Sequence, residues 1–193
     1  MRLSVCMSVF NNGPFVDEAV RSVLAQTMGD FEFIIINDGS TDASGEILRA
    51  HAARDPRVRL VEQPNKGLIA SLNHAIEISR TPWIARMDGD DVALPDRFGQ
   101  QLAVLAANPD HGVVGGQHEF IDDGGHIFRQ AYEYPETAEA FVDALEAAPL
   151  MSHPTVVMSR DLVRAAGGYR KTFAHCEDYD LWLRLSERTK LTS

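Results

Sequence analysis

The chain has 193 residues, 45% apolar and 24% charged, with a formal net charge of −10. This length suits one domain with a sizeable core, and the composition argues against disorder. The acidic balance disfavours a nucleic-acid partner, which needs clustered Lys and Arg, but leaves room for a phosphate ligand served by a metal or a few local bases.

Cys6 and Cys176 lie far apart without ligand spacing and read as reduced thiols of an intracellular protein. The N-terminal MRLSVCMSVFNNGP lacks a signal-peptide cleavage site. No segment approaches the roughly 20 apolar residues of a membrane span. The expected location is cytoplasmic, compatible with peripheral association at the inner face of the membrane.

In chain order, Leu3 to Phe10 reads as a buried strand. Pro14 suits a helix start, and Val16, Ala19, Val20, Val23 and Leu24 follow at helical spacing. Phe31 to Ile36 (FEFIII) is a second buried strand ending in NDGSTD. A helix over Ala43 to Ala53 and a strand over Val58 to Val61 come next. Leu68, Leu72, Ala75 and Ile76 mark another helix, Trp83 to Met87 a fourth strand, and Pro95 can open a helix carrying Phe98, Leu102 and Leu105. This alternation predicts parallel strands with right-handed crossovers and helices on both faces. Ligands of such sheets sit beyond the carboxyl ends of the strands, so the loops FNNGP, NDGSTD and MDGDD should converge on one crevice.

The second half changes character. Gly112 to Ile121 and Ile127 to Tyr134 flank DDGG as a predicted hairpin. A helix opening at Pro135 carries Phe141, Val142 and Leu145. A strand over Thr155 to Met158, a short helix, the turn GGY and a helix beginning near Glu177 complete the pattern.

Three polar clusters can carry chemistry. In MDGDD, Asp88, Asp90 and Asp91 repel one another, so the loop is either a solvated turn before the next helix or a cation seat. Asp88 and Asp90 can offer oxygens to one Mg²⁺ or Mn²⁺, with Asp91 binding directly or through water. A metal there would let an anionic diphosphate approach an anionic loop, and Arg86 and Arg97 flank it. NDGSTD reads as a strand-to-helix turn, with Gly39 supplying backbone freedom and Ser40, Thr41 or Asp42 a cap. Its Asp38 also sits where a carboxylate can accept a nucleobase N–H. The absence of G-x-G-x-x-G makes a Rossmann dinucleotide site a poor competitor. In HCEDYDLWLRL, Tyr179, Trp182 and Leu185 read as core contacts. Glu177 and Asp178 either favour the positive helix end or supply a general base. His153 and His175 read as packing or hydrogen-bonding residues.

The ordered set SVFNN, NDGSTD, NKGLIASLNHAI, ARMDGDDVALPDR, HPTVVMSR, GGY and EDYDLWLRL resembles the family 2 glycosyltransferases, inverting enzymes with the GT-A fold. The match runs from about Leu3 to Leu191. It implies an α/β fold with a Rossmann-like, mostly parallel central sheet flanked by helices, and a smaller mixed acceptor-side region. It implies a single catalytic domain over 1–193, with a nucleotide-sugar half (1–110) and an acceptor-side half (111–193). Phe10, Asn11, Asn12 and Glu18 would border the nucleotide. Asp38 would bind the base with Ser40 nearby, next to Asn65, Lys66 and Gly67, while Arg86, Asp88 and Gly89 would complete the nucleotide site. Asp88 and Asp90 match the DxD metal motif, with Asp91 adjacent, for Mn²⁺ or Mg²⁺. Asp178 would be the catalytic base, with Glu177 positioning it or the acceptor. The implied donor is a nucleotide sugar, with UDP as the expected base, and the acceptor a saccharide, a lipid-linked sugar or a protein in cell-surface polysaccharide or glycoconjugate synthesis. Family members usually continue beyond the ED helix, so a C-terminal truncation of the acceptor half is also expected. The alternatives are a nucleotide-sugar-binding domain without turnover and a sugar nucleotidyltransferase. The latter should carry a Gly-rich, basic loop after the first strand, and FNNGPF is not one.

Overall fold

The computed structural model describes residues 1–130, 135, 138–147 and 150–193. Four parallel strands form its first half: β1 (Leu3–Val9), β2 (Phe31–Asp38), β3 (Val58–Gln63) and β4 (Trp83–Asp88). They are joined by α1 (Val16–Leu24), α2 (Ser44–Arg54) and α3 (Leu68–Ile78). After α4 (Arg97–Ala107) come β5 (His111–Val114), the ribbon strands β6 (Glu119–Ile121) and β7 (Ile127–Gln130), and α5 (Ala138–Ala147). A 3₁₀ turn over His153–Thr155 leads to β8 (Val157–Ser159), α6 (Arg160–Ala165), α7 (Glu177–Ser186) and β9 (Lys190–Thr192).

The main sheet has the order β3-β2-β1-β4-β8-β5-β9. β8 runs antiparallel to both β4 and β5, and β9 pairs parallel with β5. The expected α/β architecture, mostly parallel and flanked by helices, is therefore present, with the mixed part confined to one edge.

Strand periodicity sorts the core into two layers. Odd residues such as Val5, Met7, Phe33, Ile35 and Met87 face α1, Leu48 of α2, and Phe98 and Leu105 of α4. Even residues such as Cys6, Ile34, Ile36 and Ile84 face α3, α5, α6 and α7, with Trp182 wholly buried among them. β2 is buried along its full length, which its run FEFIIIND permits because both faces are covered.

Several boundaries differ from the sequence reading. Pro14 and Pro95 sit in turns before their helices rather than opening them. The strand expected from Gly112 to Ile121 is two strands, because the chain leaves the sheet at Gly115 and Gly116. Gln101 of α4 stabilises that exit, its amide donating to the carbonyls of Gly115 (2.9 Å) and Thr155 (2.7 Å). Thr155 itself ends the 3₁₀ turn that Pro154 favours, so β8 starts two residues later than expected. The DDGG hairpin forms between β6 and β7. The expected continuation to Tyr134, and the segment just after Pro135, lie outside the described residues. β9, only three residues long, was not anticipated.

Candidate active site

The polar loops after β1, β2 and β4 meet at one end of the sheet. A cleft of about 370 Å³ there is lined by Ser8, Phe10, Asn12, Asp38, Asn65, Gly67, Leu68, Asp88 and Asp90. The register explains the meeting: Ser8 pairs with Asp88 across β1 and β4, and Val9 with Asn37 across β1 and β2.

The loops are laced together by their own side chains. Asn11, at φ +55°, accepts the Thr41 N–H on Oδ1 at 2.8 Å, and its own N–H reaches Ser40 Oγ at 3.1 Å. The Asn12 N–H donates to Ser44 Oγ (2.9 Å) and the Gly13 N–H to Asp42 (2.8 Å). The Ser44 N–H also donates to Asp42 (3.0 Å), and the hydrogen bonds from Ser44 and Gly13 hold the Asp42 carboxyl below its usual range. Asp38 is 2% exposed and spends both oxygens on the next turn: Oδ1 accepts the Lys66 N–H (2.9 Å) and Gln63 Nε2 (2.8 Å), and Oδ2 the Gly67 N–H (2.8 Å). Gly67 caps α3 at φ +88°, a conformation that favours glycine.

The acidic loop is electrostatically loaded. Arg86 is buried in β4 and ion-paired with Asp88, and it is not itself among the cleft-lining residues. Asp90 is exposed, and desolvation followed by the Asp88 charge raises its carboxyl above the usual range. Burial, then Asp88 and Asp90, push Asp91 up to about 6. Arg97 donates to the Arg86 carbonyl at 2.8 Å, and desolvation brings its guanidinium down to about 10. Among the described residues no three His, Cys, Asp or Glu side chains form a ready-made metal cage. Asp88 and Asp90 nevertheless suit Mg²⁺ or Mn²⁺, since such ions take one or two carboxylates and complete their shell with phosphate and water.

The ED pair opens α7. Burial, with a smaller push from Glu177, raises the Asp178 carboxyl above its usual range; the Tyr179 N–H bond (2.8 Å) and the Arg86 charge oppose this. Glu177 is 8% exposed, and its Oε2 has no hydrogen-bond partner among the described residues. Asp180 is structural, clamped by Arg170 and Arg184. His153 is buried against Tyr169, consistent with a packing role. The Arg86 charge acts on Asp90, Asp91 and Asp178 alike, so the acidic loop and the ED helix lie within one electrostatic neighbourhood.

Of the sequence-predicted residues, Phe10, Asn12, Asp38, Asn65, Gly67, Asp88 and Asp90 share the cleft wall. Asn11 and Ser40 brace the loops, Lys66 contributes a backbone N–H to Asp38, and Gly89 is buried behind the loop. Glu18 is exposed in the first turn of α1; it, Asp91, Glu177 and Asp178 are not among the cleft-lining residues. Ser8 and Leu68 were missed. Strand alternation could have found Ser8, which shares the even face with Cys6.

Comparison with known proteins now bears on this geometry. The family described as Glycosyl transferase family 2 matches residues 4–166. The O-antigen biosynthesis glycosyltransferase WbnJ of Escherichia coli is 34% identical over 184 residues, covering 95% of this chain and 71% of that protein. The mannosyltransferase PcManGT from Pyrobaculum calidifontis, solved with GDP-Man and Mn²⁺, superposes over 100% of this chain and 54% of its own, with a TM-score of 0.76 at 18% identity. Staphylococcus aureus TarS, solved with UDP-GlcNAc, gives 0.81 at 16% identity, over 100% of this chain and 56% of its own. The chain thus spans little more than half of these solved proteins, and 19% to 26% of several curated relatives. At such identities the structural likeness speaks for the fold, which is the expected GT-A arrangement. The chain belongs to glycosyltransferase family 2, the family of sugar-transferring enzymes to which the sequence pattern pointed.

Proposed function

We propose that the chain is the catalytic domain of an inverting glycosyltransferase, moving a sugar from a nucleotide-diphosphate donor to an acceptor hydroxyl in polysaccharide or glycoconjugate synthesis. The observation that carries this reading is the convergence of Asp38, Asn65, Asp88 and Asp90 on one cleft at the carboxyl ends of β1, β2 and β4. Residues 1–110 would hold the donor and 111–193 the acceptor. The nucleotides of the solved relatives, UDP-GlcNAc and GDP-Man, support a nucleotide sugar, and UDP is the first base to test.

In this reading the base and ribose lie against Phe10, Asn12 and the Asp38-held turn. Asp88 and Asp90 would hold Mn²⁺ or Mg²⁺, with Asp91 beside them. The ion would supply electrostatic stabilisation of the departing diphosphate. Asp178 takes the proton of the acceptor hydroxyl as that oxygen forms its bond to the anomeric carbon. The carbon–phosphate-oxygen bond breaks on the opposite face, and the diphosphate leaves with the electron pair, which inverts the configuration. A carboxylate raised above its usual range by burial is a stronger base than a free Asp.

Calorimetry with UDP, GDP and dTDP, each with and without Mn²⁺, tests the donor half of the reading. Tight binding of one nucleotide that requires Mn²⁺ is expected. Binding indifferent to both metal and nucleotide would sink the assignment of Asp88 and Asp90.

A further inference from the structure

The Gly167-Gly168-Tyr169 turn belongs to the sequence pattern but has no part in the proposed reaction. It is where α3 and α7 are tied together. From α3, Asn73 donates through Nδ2 to the Tyr169 carbonyl at 2.8 Å and accepts the Tyr169 N–H on Oδ1 at 2.9 Å. One amide side chain thus satisfies both backbone groups of a residue that is only 3% exposed. The approach is close: Gly168 has φ +65°, and a Cβ there would lie 2.6 Å from Asn73 Oδ1. From α7, Arg184 donates to the carbonyls of Ala166 (2.6 Å) and Gly168 (2.8 Å), while Arg170, just after the turn, pairs with Asp180. The Tyr169 hydroxyl lies 2.8 Å from His153 Nε2, and the His153 ring packs edge-on against Trp182 of α7.

We propose that Asn73 is a positioning residue for transfer: it fixes the turn on which α7 is seated and so sets Asp178 relative to the nucleotide cleft. The reasoning rests on the reading of Asp178 as the base. α3 is capped at its N-terminus by Gly67, whose N–H is held by Asp38 in the cleft wall. Asn73 lies six residues further on the same helix, about 9 Å along its axis. A single rigid helix therefore touches the nucleotide cleft at one end and the seat of the ED helix at its middle. Without Asn73 the buried Tyr169 N–H and carbonyl lose their partners, and the turn must move to find others. Displacement of a reacting group by about 1 Å can cost on the order of 10²-fold in rate.

The test uses the full chain with Mn²⁺, and UDP-GlcNAc and GDP-mannose as donor probes. Asn73→Ala removes both bonds, and Asn73→Asp keeps only the acceptor. Asn73→Ala is expected to lower kcat for nucleotide release on the order of 10²-fold, with donor KM and nucleotide affinity held within about twofold. Asn73→Asp should fall between it and the unmodified chain. Hydrogen exchange should quicken at the amides opening α7 and stay unchanged at those opening α3. Leu72→Ala on the same helix controls for plain loss of packing and should lower Tm without a selective loss of kcat. Parallel loss of kcat and nucleotide affinity in Asn73→Ala, or a kcat and α7 exchange equal to those of the unmodified chain, overturns the proposal. If Asn73→Ala does not fold, Asn73→Asp carries the same readouts. Should the unmodified chain release nucleotide from neither donor, the transferase reading fails by itself. Exchange in α7 then decides the seating, faster exchange in the variant upholding it and unchanged exchange refuting it.

Discussion

Asp38 and Gly67 are joined by a carboxylate-to-backbone hydrogen bond of 2.8 Å, which makes the end of β2 the anchor of the turn that opens α3. Its other oxygen holds Lys66 and Gln63, so the carboxylate shapes the cleft wall as well as facing it. Asp38→Asn turns an NH₂ group toward at least one backbone donor. Loss of a buried charged hydrogen bond should cost about 2 kcal/mol, read by urea unfolding, with faster exchange at the Gly67 amide. Unchanged stability and exchange would mean that the turn is held by other contacts.

Asp178→Asn should separate chemistry from binding. The amide keeps the size of the side chain and still accepts the Tyr179 N–H, but it cannot take a proton. Positioned bases contribute on the order of 10²–10⁴ in rate, so kcat should fall in that range while nucleotide affinity stays level. Single-turnover measurement with the donor identified by calorimetry is the readout. A variant that turns over like the unmodified chain would move the base elsewhere.

Much of this arrangement was legible in the sequence, for local reasons. FEFIIIND reads as a strand buried on both faces, and Val16, Ala19, Val20 and Val23 recur at the spacing that α1 buries. Three polar loops after parallel strands of one sheet must share one end of it, and they do. What was illegible depends on long-range partners. The break between β5 and β6 is set by Gln101, whose amide caps carbonyls of two separate segments. Arg86 reads as a base flanking the loop, but its burial and its pairing with Asp88 depend on the packed sheet and leave no local signal. Asn73 and Tyr169 are 96 positions apart, and no periodicity connects them.

Asp88 and Asp90 should respond differently to removal of charge. Asp88 neutralises the buried Arg86, so Asp88→Asn strands that cation and should cost about 3 kcal/mol even without metal. Asp90 is raised by partial desolvation in the loop and by its neighbour's charge, so Asp90→Asn relieves repulsion and should be neutral or slightly stabilising. Both should lose the stabilisation that Mn²⁺ gives with nucleotide, which is about 2.7 kcal/mol at a hundredfold excess over Kd. Thermal melts with and without Mn²⁺ distinguish these effects. A full Mn²⁺ response in Asp90→Asn would remove Asp90 from the metal site.

His153 predicts an acid-sensitive fold. Burial first, and the Arg86 charge second, hold its imidazole well below the ordinary value near 6.5. In the unfolded chain the ring takes up a proton near that pH, whereas the folded chain keeps it neutral beside the Tyr169 hydroxyl. The unfolded state therefore binds more protons, and stability falls as pH drops below about 6.5, by at most about 1.4 kcal/mol per pH unit for this one group. His153→Gln keeps a hydrogen-bonding side chain next to Tyr169 but cannot titrate, so the slope between pH 6.5 and 5 should flatten. Urea unfolding across that range measures it. If the variant loses stability as steeply as the unmodified chain, the acid sensitivity comes from other groups, and His153 is not what destabilises the fold in acid.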